Sequence, residues 1–145
     1  MISRKAKYAL RALFALARAP QGKPLVIGEI AQDQRIPKKF LEQILLDLKN
    51  KGILDSRRGK GGGYVLLKPA EKISYGEIIR MIDGPIAPLP CLSITAYRKC
   101  ADCADETRCE TRRVFAKVAM QTRQVLDQTT IADAIAIPRE APPVS

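Results

Sequence analysis

The chain contains no histidine and no tryptophan, and only 5% of its 145 residues are aromatic. Without histidine, no Ser-His or Cys-His pair can activate a nucleophile, so the commonest acyl-transfer machinery is excluded and no enzyme is expected. No run of 18 or more apolar residues occurs, so no transmembrane helix is predicted. Behind Met1-Ile2-Ser3-Arg4-Lys5 there is neither an apolar signal core nor a cleavage site, which points to the cytoplasm. The apolar share of 46% still supports a core, in one compact domain or a small domain with an oligomerisation arm.

Positive charge is what the chain has in excess, at a net +10, and it is one-sided. Residues 1–69 hold 15 Lys and Arg against 5 Asp and Glu, whereas residues 70–145 hold 10 against 10. Such asymmetry points to a nucleic-acid or an anionic-membrane partner. Placement of the charges on a loop and a groove-reading helix favours double-stranded DNA and no membrane.

Apolar spacing organises the rest. Ala6, Ala9, Leu10, Leu13, Phe14, Leu16 and Ala17 repeat with helical period behind Ser3, a capping residue, and Pro20 to Pro24 ends the segment. Val26 to Gln34 reads as a short second helix. The turn Arg35-Ile36-Pro37 leads to a third, with Pro37 in its first turn, Phe40, Leu41, Ile44, Leu45 and Leu48 on one face, and Gly52 beyond its end. Ile53–Ser56 and Gly63–Leu67 are strand candidates around a basic glycine loop, and Ser74 caps a further helix running to Asp83. The expected fold is mainly α with a small β-hairpin wing. A winged helix-turn-helix occupies residues 1–84, a cysteine-rich loop 85–109 and a long dimerisation helix 110–131, with a disordered tail at 132–145.

In a helix-turn-helix the second helix presents its opening turns to the major groove. Here these carry Lys38, Lys39, Phe40, Glu42 and Gln43. The lysines suit phosphate or guanine, Gln43 adenine, and Glu42 the cytosine amino group. The competing reading makes Glu42 and Lys39 solvated charges and Phe40 a core residue. It is at least as good for Phe40, whereas Lys38, Lys39 and Gln43 are read as contacts because they lie in the opening turns. Arg57, Arg58, Gly59 and Lys60 on the wing suit phosphate or minor-groove contact.

Four cysteines, Cys91, Cys100, Cys103 and Cys109, crowd into nineteen residues. In a cytoplasmic protein that clustering points to metal or redox chemistry rather than disulfides. Cys100 and Cys103 have the spacing of half a zinc knuckle, but Cys91 and Cys109 stand alone, and an iron–sulfur cluster tolerates looser spacing.

Lys7-Tyr8-Ala9-Leu10-Arg11-Ala12-Leu13, Phe40-Leu41-Glu42-Gln43-Ile44-Leu45, the wing Arg57 to Tyr64 and the cysteine loop together resemble the Rrf-two (Rrf2) family of bacterial winged-helix regulators, over about residues 1–130. The resemblance implies a homodimer on a roughly palindromic operator, with a cluster, [2Fe–2S] ahead of [4Fe–4S], on three loop cysteines. Carried over, these are Cys91, Cys103 and Cys109, with Cys91, Cys100 and Cys109 as the alternative set. Arg112 stands where some members place a histidine ligand, and Lys7 where others place an acidic one. The fourth ligand then falls to Cys100, to Glu106 or Glu110, or to an exogenous group. A cluster-free thiol-redox switch, a zinc-stabilised regulator and an interaction module controlled by a metabolic enzyme, a regulatory protein partner, are the competing expectations.

Overall fold

Ser3 opens the first helix by accepting the Ala6 N–H on its hydroxyl at 2.9 Å, which satisfies a donor left free at every helix start. The computed structural model describes residues 2–137. In chain order these form α1 (Arg4–Arg18), α2 (Ile27–Gln34), α3 (Lys38–Asn50), β1 (Leu54–Arg57), β2 (Gly63–Leu66), α4 (Tyr75–Asp83), α5 (Glu110–Gln128) and α6 (Ile131–Ala136). No helix among them is long and apolar enough to cross a membrane.

The buried face of α1 is Ala6, Ala9, Leu10, Ala12, Leu13, Ala15 and Leu16. Its alanines let neighbouring backbones come close, and α2, α3, α4, α6 and β2 all pack on this one helix. Leu13, Ile30, Leu41, Ile44, Leu45, Leu48, Ile53, Leu54, Ile73, Ile78 and Ile131 are fully enclosed in the resulting core. Each such aliphatic side chain contributes roughly 1.5–3 kcal/mol of burial free energy.

Between α2 and α3, Arg35 adopts the left-handed region (φ 53°, ψ 50°) and the buried Ile36 pins the turn. Pro37 takes the N-cap of α3, one place earlier than its predicted first-turn position. Gly52, at φ 79°, follows the end of α3 as expected. The strands pair antiparallel in the register Leu54↔Leu66 to Arg57↔Gly63. Leu25 exchanges backbone hydrogen bonds with Tyr64 at 3.0 and 2.8 Å, which fastens the hairpin to the α1–α2 connection.

The last third departs from expectation. The long helix ends at Gln128 rather than 131, and the segment assigned to a disordered tail from 132 is helical through Ala136. Thr130 and Asp133 form a reciprocal capping box that starts α6, and Ile131 is wholly buried against α1 and the turn at Ala70–Lys72. Burial of Ile131 outweighs the entropy of a free terminus. Residues 138–145, the remainder of the expected tail, lie outside the described residues.

Candidate nucleic-acid interface and cysteine cavity

Burial of Leu41, Ile44, Leu45 and Leu48 fixes the rotation of α3 and turns Lys38, Lys39, Phe40, Glu42 and Gln43 outward, all exposed. Phe40, open to either reading in the sequence, is 52% exposed and is not a core residue. Its ring meets Tyr8 edge-on, with centroids 6.3 Å apart. Gln43 Nε2 donates to Asp47 Oδ1 at 2.9 Å, and the other Asp47 oxygen accepts Lys5 Nζ at 2.8 Å. The Lys5 hydrogen bond holds the Asp47 carboxyl below the ordinary carboxylate range. Lys5 and Tyr8 of α1 thus brace the exposed face of α3. Neither pairing is legible from spacing, because each crosses between helices more than thirty residues apart.

Arg57, Arg58, Gly59 and Lys60 lie exposed at the end of β1 and the wing tip. Two further glycines make that tip possible. A Cβ on Gly62 would overlap the Arg57 carbonyl, and one on Gly63 (φ 146°) would sit 2.5 Å from the Leu25 carbonyl oxygen. Lys49 Nζ reaches Ser56 Oγ at 2.7 Å and ties the far end of α3 to the base of the wing.

The cysteine loop folds back on α5. Cys91 is buried, and Cys100, Cys103 and Cys109 are half-buried with all four thiols free. All four line one cavity of about 470 Å³, with Leu89, Asp102, Glu106 and Arg112 among the other wall residues. Cys109 caps α5, its sulfur accepting the Arg112 backbone N–H at 3.4 Å. The Cys103 N–H donates to the Cys100 carbonyl at 3.1 Å and closes the turn between them. Partial desolvation first, and then the negative charge of Cys91, Asp102, Cys103 and Cys109, push the Cys100 thiol upward.

Among the described residues, no three Cys, Asp or Glu side chains stand together closely enough to hold a single metal ion. An observation in the cavity wall bears on a larger occupant: Arg112 Nε is buried and has no hydrogen-bond partner among the described residues. Four thiols and an unspent cationic donor fit a thiolate-held, anionic group such as an iron–sulfur cluster. Lys7 is exposed on α1 and does not line the cavity.

Comparison with known proteins places this arrangement. The family model of Rrf2, iron-dependent transcriptional regulators, matches residues 2–137. An Rrf2-like HTH-type transcriptional regulator from Rhodobacter capsulatus is 50% identical over 139 residues, covering 94% of this chain and 93% of that one. The structure of CymR, the global cysteine regulator of B. subtilis, superposes with a TM-score of 0.79 at 32% identity over 94% of this chain and 96% of its own. T. potens IscR superposes with a TM-score of 0.75 at 28% identity, over 100% of this chain and 93% of its own. The chain belongs to the Rrf2 family of transcriptional regulators, a family of winged-helix DNA-binding proteins and not of enzymes.

Proposed function

We propose that this regulator binds a palindromic operator as a homodimer and that its cysteine cavity holds an iron–sulfur cluster, [2Fe–2S] in preference to [4Fe–4S], whose status sets operator affinity. The observation that carries the reading is the convergence of Cys91, Cys100, Cys103 and Cys109 on one cavity beside the buried, unpartnered Arg112 Nε. When bound, a cluster supplies one-electron chemistry and lability toward oxidants. Cys91, Cys103 and Cys109 would hold it, with Cys100 completing the set.

The chain's own residues supply the rest. Lys38 and Lys39 meet phosphate or guanine, Gln43 reads an adenine with its amide oriented by Asp47, and Glu42 accepts from cytosine. Phe40 offers apolar contact to a thymine methyl. Arg57, Arg58 and Lys60 grip phosphate or the minor groove, and Gly59 lets the tip approach closely. Val114, Phe115, Val118 and Val125 leave α5 with an exposed apolar face that a second copy covers. Rearrangement of the loop moves α5 through the Cys109 cap and shifts the spacing of the two reading heads.

A cluster-free thiol switch is the second reading, favoured by the one-turn closure of Cys100 and Cys103. Anaerobic purification with a visible spectrum and iron, sulfide and zinc analysis separates the two. A coloured protein with matching iron and sulfide supports the cluster, and a colourless metal-free protein supports the thiol switch.

A further inference from the structure

We propose that Arg112 is the fixed counter-charge of the cysteine cavity: its guanidinium donates to an anionic sulfur of the thiolate-held group and raises that group's reduction potential without being a ligand. The inference rests on the cluster reading above and assigns a role where the sequence offered only the departure of an arginine from a histidine position.

Arg112 is the third residue of α5, and its backbone N–H already points to sulfur, at 3.4 Å from Cys109 Sγ. Its side chain lines the same cavity as the four thiols. The Nε–H is buried and finds no acceptor among the described residues. A buried charged donor left without an acceptor is costly, so its position calls for an anion on the cavity side.

Two of the nearby carboxylates are engaged elsewhere, and Asp102, on the same cavity wall, makes no hydrogen bond to Arg112. Tyr97 donates to Glu106. Asp105 accepts from the Thr107 N–H at 2.9 Å and its hydroxyl at 2.6 Å, with Arg108 Nε at 3.6 Å.

The chemistry of the guanidinium then decides its role. It stays protonated in proteins, carries donors only and has no lone pair to offer iron. An arginine at this place can therefore hydrogen-bond to sulfur and offset negative charge, but it does not complete the ligand set. Reduction adds one electron, and thus one negative charge, to the group. A fixed cation with a donor favours that more negative form, and hydrogen bonds to cluster sulfurs are among the determinants of such potentials.

The test uses the anaerobically loaded full chain titrated with dithionite as electron donor, followed by visible absorption and electron paramagnetic resonance. Iron and sulfide content and circular dichroism are measured on every variant. Arg112→Gln and Arg112→Ala are expected to load as the wild type does and to shift the reduction equilibrium toward the oxidised form about tenfold, close to 59 mV for one electron. Arg112→Lys keeps the charge and should recover most of the shift. An unchanged midpoint in Arg112→Gln overturns this inference alone. Loss of iron in all three folded variants also overturns it, because it would make Arg112 a required part of the site. A wild-type chain that takes up no iron and sulfide overturns the cluster reading and this inference together.

Discussion

Arg123 reaches from α5 to the backbone of Leu92, the residue after Cys91, and its Nη2 donates to that carbonyl at 2.5 Å. The same guanidinium sends Nε to the Ile86 carbonyl at 3.1 Å, so one side chain holds both ends of the proline-rich entry to the cysteine loop against the helix. With the Cys109 cap and the Arg113 Nη2 bond to the Thr107 carbonyl at 3.2 Å, this gives the loop three attachments to α5.

Replacing Arg123 should uncouple the loop from the helix. Arg123→Gln loses charged hydrogen bonds to two carbonyls, each worth about 1.5–3 kcal/mol where desolvated and less at a half-buried place such as this. Chemical denaturation should register a loss of about 1–3 kcal/mol. The ratio of operator affinities with and without loop occupancy should shrink toward one. A variant whose ratio matches that of the wild type would remove Arg123 from the coupling path.

Contacts by α3 and the wing separate by type. Lys39→Ala and Arg58→Ala each remove one phosphate contact and should lower the slope of log affinity against log salt by about 1, almost regardless of sequence. Gln43→Ala should instead cost about 1–3 kcal/mol of discrimination at one base pair and leave the slope unchanged. Fluorescence anisotropy across a salt series and a set of point-substituted operators distinguishes them. Unchanged slopes for both cationic variants would mean that the interface lies elsewhere.

The α4–α5 joint carries a pH signature. Arg80 pairs with both oxygens of Asp127 at 2.6 and 2.9 Å, which holds the Asp127 carboxyl below its ordinary range. A folded-state pKa lowered in this way gives stability that is complete above the unfolded value near 3.9 and is lost as pH falls through the folded value. The pair is partly exposed, so its contribution near neutrality is about 0.2–1 kcal/mol. Asp127→Asn should therefore melt slightly below the wild type at pH 7, and the gap should close as pH drops below about 4. A gap that widens on acidification would contradict the assignment.

Placing a charge on the exposed face of α5 tests the dimer. Val118 is 44% exposed, so Val118→Glu leaves the core of the single chain intact. Analytical ultracentrifugation should find the variant monomeric at concentrations where the wild type is dimeric, with operator affinity reduced at least tenfold. A Val118→Glu variant that remains dimeric would direct the search to another surface.

Most of the winged domain could be read in the sequence, because each of its elements carries a local signal. Ser3 and Ser74 are side-chain caps, Gly52 ends a helix, and the glycines between Arg58 and Tyr64 are each required by the hairpin. The outward face of α3 followed from the period of Leu41, Ile44, Leu45 and Leu48. Phe40 did not, since only three-dimensional packing decides whether a residue at the edge of an apolar stripe is enclosed. The α6 helix was legible in principle from Thr130 and Asp133, but a six-residue helix has too little periodicity to outweigh its place near the terminus. The cysteine cavity was legible as four thiols and illegible as a geometry. The Arg112 donor and the Arg123 attachments arise from a loop folding onto a helix, which no spacing rule encodes.

The most direct test of the central claim is operator affinity measured anaerobically on one preparation, before and after removal of bound iron, beside a Cys91→Ala, Cys103→Ala, Cys109→Ala triple variant. The account predicts iron and inorganic sulfide in equal amounts in the wild type and none in the variant. It also predicts an operator affinity that changes at least fivefold when iron is removed, about 1 kcal/mol of coupling, and a variant locked at the iron-free value. Identical affinities in all three samples would contradict it.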